Sequence, residues 1–132
     1  MPTPKRSVSL TTELSYNDRG AGFPILLLHG LAGTKDLWYE VADDLLRRGF
    51  RVLTADLRGH GDSFQPPPPW SIHSMADDVI KLLDYLNVDS AITVGHSMGG
   101  RVAWSLALNH PARVAAVVSV ASHSEGPEGR YR

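Results

Sequence analysis

Apolar positions along the chain fall into short continuous runs that alternate with longer stretches of helical spacing. Pro24-Ile25-Leu26-Leu27-Leu28, bounded by Pro24 and Gly30, is the first such run, and unbroken apolarity over so few residues reads as a strand buried on both faces of a parallel sheet. Ahead of it, Val8 to Tyr16 reads as an extended, hairpin-like opening closed by the turn residues Asn17, Asp18 and Gly20. Behind it, Thr34 is an N-cap for a helix carrying Leu37, Val41, Leu45 and Leu46 on one stripe. Arg47 and Arg48 suit its last turn and Gly49 its C-cap. Arg51 to Ala55 is the next strand. Ser71 then opens a second helix whose apolar stripe is Met75, Val79, Leu82, Leu83 and Leu86. Ser90 to Val94 forms a third buried strand. Val102 and Leu106 mark a third helix, stopped by Asn109-His110-Pro111, and Val114 to Val120 is a further buried strand. From Ser122 to Arg132 the chain is polar and without periodicity.

Strands alternating with helices build βαβ units, so the expected class is α/β, a mostly parallel sheet flanked by helices. In such sheets ligands bind beyond the carboxyl ends of the strands. The loops after Leu28, Ala55, Val94 and Val120 should then share one edge, and any chemistry belongs there.

Gly95-His96-Ser97-Met98-Gly99 sits in that edge. The G-x-S-x-G spacing acquires meaning from its context, since it follows a strand and opens a helix. A turn this tight strains the central residue and needs neighbours without side chains, a demand that Gly95 and Gly99 meet. Ser97 would then stand exposed at the N-terminus of a helix, whose positive end favours an anionic intermediate. An acyl-transfer site also needs two backbone N–H donors aimed at the developing oxyanion. Met98, the residue after the serine, is one candidate. Leu31, in the open loop His29-Gly30-Leu31-Ala32-Gly33, is the other.

Composition narrows the alternatives without adding chemistry. The formal net charge is −1 with no run of Lys or Arg, which argues against nucleic acid or a membrane surface as partner. The chain has no cysteine, so disulfides and thiolate sites are excluded. No apolar stretch is long enough to span a bilayer and Met1 to Ser7 lacks the apolar segment of a secretory signal, giving cytoplasmic as the expected location. Pro66 to Pro69 reads as a stiff surface loop, with a proline-rich docking motif as the alternative.

Three blocks together resemble the α/β-hydrolase family in its esterase, lactonase and perhydrolase branch. They are Leu28-His-Gly-Leu-Ala-Gly33, Asp56-Leu-Arg-Gly-His-Gly-Asp-Ser63 and Gly95-His-Ser-Met-Gly-Gly100, and the similarity runs from about residue 14 to 121. The resemblance implies that Ser97 is the nucleophile, that Leu31 and Met98 are the oxyanion donors, and that Asp56–Ser63 forms the loop beside the site. Serine at 97 argues against the dehalogenases and epoxide hydrolases of this fold, which use Asp there. The family orders its triad Ser, acid, His, and both later members normally lie beyond Arg132. Residues 1–132 are thus expected to be a partial domain ending after the strand that follows the nucleophile helix, with an irregular tail at about 122–132.

Among the histidines, His29 and His60 are expected to pack the family loops, His96 to turn into the structure, and His73 and His110 to lie at helix ends. His123 follows the strand beside the nucleophile strand, and Glu125 sits where some family members place their acid, so a Ser97–His123 dyad oriented by Glu125 is the one base and acid the chain itself offers. Asp56 is expected to fix its loop rather than act as the acid. Asp43-Asp44 and Asp77-Asp78 point to different helix faces and make no metal clamp. The expected activity is hydrolysis of a carboxylic ester, lactone or related acyl bond through an acyl-enzyme on Ser97, acting on a small acyl substrate with neither metal nor organic cofactor, and absent or vestigial in this short form. The alternative is a non-catalytic fragment that self-associates through an exposed sheet edge formed by Val114–Val120.

Overall fold

A computed structural model describes residues 13–122 of the chain. Five strands form one sheet: β1 (Tyr16–Arg19), β2 (Pro24–Leu28), β3 (Arg51–Ala55), β4 (Ala91–His96) and β5 (Val114–Val120). They lie in the order β1-β3-β2-β4-β5. β1 runs antiparallel to β3, and every other pairing is parallel. The helices are α1 (Tyr39–Arg47), α2 (Ile72–Tyr85) and α3 (Met98–Asn109). This is the expected α/β architecture. The parallel strands bring the residues after Leu28, Ala55, His96 and Val120 to one edge.

The unbroken apolarity of β2 follows from its central place. Leu26 and Leu28 pack with Leu53, Ala55, Val79, Leu82, Val102 and Leu106 beneath α2 and α3. Ile25 and Leu27 face the other way, onto Trp38, Ala42 and Val52 beneath α1. Leu26, Leu27 and Leu28 are fully buried, and each such side chain contributes about 1.5–3 kcal/mol over leaving it in water.

Helix starts follow their caps. Ser71 accepts from the Ser74 amide at 2.9 Å while the Ser74 hydroxyl accepts from the Ser71 amide at 3.2 Å, a closed capping box for α2. Thr34 also caps as expected, accepting from the Asp36 amide at 3.3 Å, but the helix it opens is a 3₁₀ turn over Lys35–Trp38. That tighter turn resets the helical phase before α1 begins. The buried face therefore becomes Trp38 and Ala42, with Leu45 and Leu46 partly buried, while Leu37 and Val41, expected on the core stripe, are exposed.

The opening segment also differs. Asn17 and Asp18 are strand residues of β1 rather than turn residues, because the Asp18 carboxylate is engaged by both Nε and Nη2 of Arg51 on β3, each at 2.8 Å. The turn lies after Arg19, at Gly20 with φ 84°. Residues 8–12 of the expected opening lie outside the described residues.

The two sheet edges contrast. β1 carries Asn17, Asp18 and Arg19, and polar or charged residues blunt an edge against pairing with another chain. β5 carries only Val, Ala and a single Ser. Its apolar run suits a strand buried in a larger sheet, but among the described residues it is the uncovered edge expected of a partial domain: Val118 is 47% and Val120 45% exposed. α1 covers the sheet over β2 and β3 and leaves Ala116, Val118 and Val120 uncovered beside Ile92 and Val94 of β4. Among the described residues no helix is long and apolar enough to cross a membrane.

Candidate active site

β4 ends in a turn that no side chain could enter at three of its positions. A Cβ on Gly95 would overlap the Gly99 carbonyl, one on Gly99 would overlap the Leu28 carbonyl, and one on Gly100 would lie 2.6 Å from Cβ of Ser122. The glycines thus let α3 start directly against its own strand and against β2. Ser97, the residue between strand and helix, has φ 54° and ψ −116°. A non-glycine residue held there stores about 1–3 kcal/mol of strain. Its conformation is fixed on both sides: its amide donates to Val120 O at 2.9 Å, and its carbonyl accepts from Gly100 N at 2.9 Å and Arg101 N at 3.3 Å.

The loop after β2 closes over this turn. Gly30 approaches so near that a Cβ there would lie 3.2 Å from Cβ of Ser97 and 3.2 Å from Nδ1 of His96. His29 holds the loop down. Its Nε2 accepts from the Leu57 amide at 2.9 Å, so the proton must be on Nδ1, which donates to Gly30 O at 2.7 Å. Burial holds the His29 pKa below the ordinary histidine value, with the neighbouring His60 adding to the effect, against the opposing pull of the Gly30 hydrogen bond and of Asp56. A neutral imidazole is what both hydrogen bonds require. Among the described residues, neither the Leu31 nor the Met98 amide donates to a protein acceptor. Both remain available to a ligand.

Beside the loop, Asp56 is fully buried and spends its carboxylate on structure. Oδ1 accepts from the Lys35 amide at 2.7 Å, and Oδ2 accepts from Lys35 Nζ at 3.0 Å and from the Asp62 amide at 3.0 Å. Burial alone would raise its pKa, but the two amides and the ammonium outweigh burial and hold it below the ordinary carboxylate value. Ser63 Oγ donates to Asp56 O and accepts from the Ser15 amide at 2.8 Å. Asp56 is therefore a loop anchor, as expected from the sequence. His60 likewise packs, with its ring centroid 5.0 Å from that of His29 and Nδ1 2.9 Å from Arg58 O. His96 turns inward, leaving its Nδ1 buried without a hydrogen-bond partner. His110 caps the end of α3, its amide donating to Leu106 O at 2.7 Å, and His73 lies in the first turn of α2. Asp78 of the pair Asp77-Asp78 is taken by Arg58, at 2.6 and 2.8 Å, tying α2 to the same loop.

Ser97 opens onto a cleft of about 530 Å³. Its walls are mainly the apolar side chains of Leu31, Trp70, Ile72, Met75 and Met98, with Arg101 one helical turn beyond Ser97. Pairing Ser97, Leu31 and Met98 was legible in the motifs. Trp70, Ile72 and Met75 were not: Met75 reads as a core residue of its helix, and Trp70 follows the prolines without any periodic signal. Among the described residues Ser97 Oγ has no hydrogen-bond partner, and no group of three or more His, Asp or Glu converges as a metal site. His123 and Glu125 lie outside the described residues.

The family assignment follows from comparison as well as geometry. The family model for the alpha/beta hydrolase fold matches residues 24–131, and the chain belongs to that family. It is 38% identical over 109 residues to Epoxide hydrolase 2 of Siraitia grosvenorii, covering 79% of this chain and 34% of that one. It is also 38% identical over 114 residues to the sn-1-specific diacylglycerol lipase ABHD11 of Danio rerio, covering 86% of this chain and 35% of that one. Among solved structures, Est816, an N-acyl homoserine lactone degrading enzyme, superposes with a TM-score of 0.79 at 38% identity, over 83% of this chain and 42% of its own. The relatives are thus hydrolases of esters, lactones and epoxides. The matched stretch spans about a third of the length of these two curated relatives and a fifth of others.

Proposed function

We propose that Ser97 is the nucleophile of a serine hydrolase that cleaves a carboxylic ester or lactone through an acyl-enzyme. The observation that carries this reading is the placement of Ser97 at φ 54°, ψ −116° in the cleft, with the uncommitted amides of Leu31 and Met98 beside it. In the proposed step, Oγ attacks the carbonyl carbon and a base takes its proton. The two amides donate to the oxygen that becomes negative, the arrangement that contributes most in acyl transfer. The C–O bond to the leaving group then breaks as the base passes its proton to the departing alkoxide. Water, giving a proton to the same base, attacks the acyl carbon, the bond to Ser97 Oγ breaks, and Oγ recovers the proton as the acid leaves. Epoxide opening, named in several relatives, is disfavoured here because position 97 offers a hydroxyl and not a carboxylate.

A hydroxyl needs a base within hydrogen-bond reach to act at neutral pH. The described residues supply none, so the base must come from elsewhere: from His123 oriented by Glu125, or from sequence that the longer relatives possess and this chain does not span. On the second alternative the 132-residue chain by itself has absent or vestigial activity.

Intact-mass analysis after fluorophosphonate treatment tests the reading. The Ser97 oxygen would form a bond to phosphorus and expel fluoride, and the adduct is expected to vanish in Ser97→Ala. Labelling that is stoichiometric and Ser97-dependent would place a working base within the chain. Labelling elsewhere, persisting in Ser97→Ala, would overturn the assignment of the nucleophile.

The exposed β5 edge favours a second reading, in which the chain associates with a second copy of itself. An antiparallel pairing of β5 with its symmetry mate makes the same edge serve both partners. The edge is uncharged, lacks proline, and carries the exposed Val118 and Val120. Sedimentation velocity is expected to show a concentration-dependent dimer or larger species that Val118→Lys returns to monomer. A monomeric wild-type chain at all concentrations would dismiss this reading.

A further inference from the structure

The geometry points to Trp70 as a fixed wall that limits the apolar arm of the substrate, an ester whose hydrocarbon part lies in the cleft. This rests on the reading of Ser97 as the reacting group. Trp70 and Ser97 line the same cleft, and Ile72, Met75 and Met98, which line it too, present apolar side chains, with Arg101 the one charged residue among its walls. A pocket of this size with few polar groups favours hydrocarbon and orients it by the few groups that are polar.

Trp70, partly buried against the core that contains Ile72, Met75 and Met98, is held by contacts of its own. Its Nε1–H donates to Pro66 O at 2.9 Å, which ties the ring to the proline segment that precedes it. The ring lies directly on Gly59, where φ is 76° and a Cβ would overlap the ring carbons. On a further side is the His60 ring, 6.1 Å away between centroids. His60 in turn packs on His29, which anchors the loop of Leu31. The wall and the proposed oxyanion loop are therefore braced against one another through two histidine rings. A side chain so held does not swing aside for a longer ligand, so it sets a length rather than adapting to one.

Straight-chain methyl ketones from butanone to nonanone test this without requiring turnover, since their carbonyl mimics the ester and they cannot be hydrolysed. Binding to the full chain, and to Ser97→Ala, is read by fluorine NMR of fluorotryptophan-labelled protein. Of the three tryptophans, the Trp70 resonance is the one lost in Trp70→Phe. Affinity is expected to rise about fourfold per methylene until the arm meets the wall, and then to stop rising. The Trp70 resonance should shift on binding. Trp70→Phe should extend the limit by about one methylene and Trp70→Ala by several, while weakening the short ketones roughly tenfold. An unmoved Trp70 resonance, or an identical limit in Trp70→Phe, would overturn the proposal even if Trp70→Ala failed to fold. Trp70-dependent ketone binding without fluorophosphonate labelling would retain the wall and leave the nucleophile reading unsupported. Labelling without a Trp70-dependent limit would remove the wall alone.

Discussion

Gly99→Ala is expected to leave the chain without a cooperative unfolding transition. The added methyl would overlap the carbonyl of Leu28 and lie 2.6 Å from that of His29, and both are main-chain atoms at the end of the central strand β2. Neither can rotate away as a side chain could. Relief requires α3 to move off β2, which would disturb the packing of Leu28 against Val102 and Leu106 and shift Ser97 with it. A domain of this kind is stable by about 5–15 kcal/mol in total. A forced main-chain displacement belongs to the tail of substitutions costing more than about 4–5 kcal/mol. Gly49→Ala supplies the contrast, since a Cβ there meets nothing within 4 Å and only its φ of 93° opposes the change. That substitution should cost about 1–2 kcal/mol. Urea unfolding followed by circular dichroism checks both. Similar midpoints for the two variants would mean that the elbow tolerates a side chain after all.

The elements buried on both faces were the most legible part of the fold. Pro24–Leu28 and Arg51–Ala55 coincide with β2 and β3 because a short, largely apolar run between breakers suits a strand covered on both sides and little else. β5 shows where that logic stops. Val114–Val120 has the composition of a buried strand and the right bounds; that it would be an exposed edge followed from the family resemblance, because composition says nothing about what lies alongside. β1 failed for the opposite reason. Asn17 and Asp18 have turn propensity, but a bidentate pair with Arg51 from a distant strand overrides it. The first helix went out of phase by one residue through a 3₁₀ turn that periodicity cannot detect.

The site divides along a similar line. That Ser97, Leu31 and Met98 would meet at one edge was legible because strained turns and close approaches demand glycine, and glycine spacing is written in the sequence. The walls of the cleft were not, because an apolar side chain facing a cleft and one facing the core look alike in a pattern of hydrophobicity. Met75 is 4% exposed and counts as core by any periodic criterion, while it also lines the cleft. Trp70 gains its place from Gly59, His60 and Pro66, contacts that no local window contains.

Asp56 carries the second large effect. Asp56→Asn should destabilise the chain by about 3–5 kcal/mol, the usual consequence of breaking a buried ion pair by removing one partner. Three donors converge on this carboxylate, and an amide offers one oxygen and turns its own N–H groups toward the rest. Lys35, its side chain only 12% exposed, would be left with Asp62 at 3.9 Å. At roughly 4 °C per kcal/mol for a domain between the small and large classes, the melting temperature should fall by about 10–20 °C. The pH dependence identifies the cause. Because the folded-state pKa of Asp56 is lowered, its contribution is fully present above the ordinary carboxylate value of about 3.9 and is lost as pH falls through the folded value. The gap between wild type and Asp56→Asn should therefore be constant near neutrality and narrow progressively below about pH 4. A gap that stays the same down to pH values below that range would show that lost packing, and not the lost carboxylate charge, weakens the variant. If the charge is responsible, Lys35→Met in the Asp56→Asn background should recover part of the stability, because it removes the ammonium left without its buried partner while keeping most of the stem.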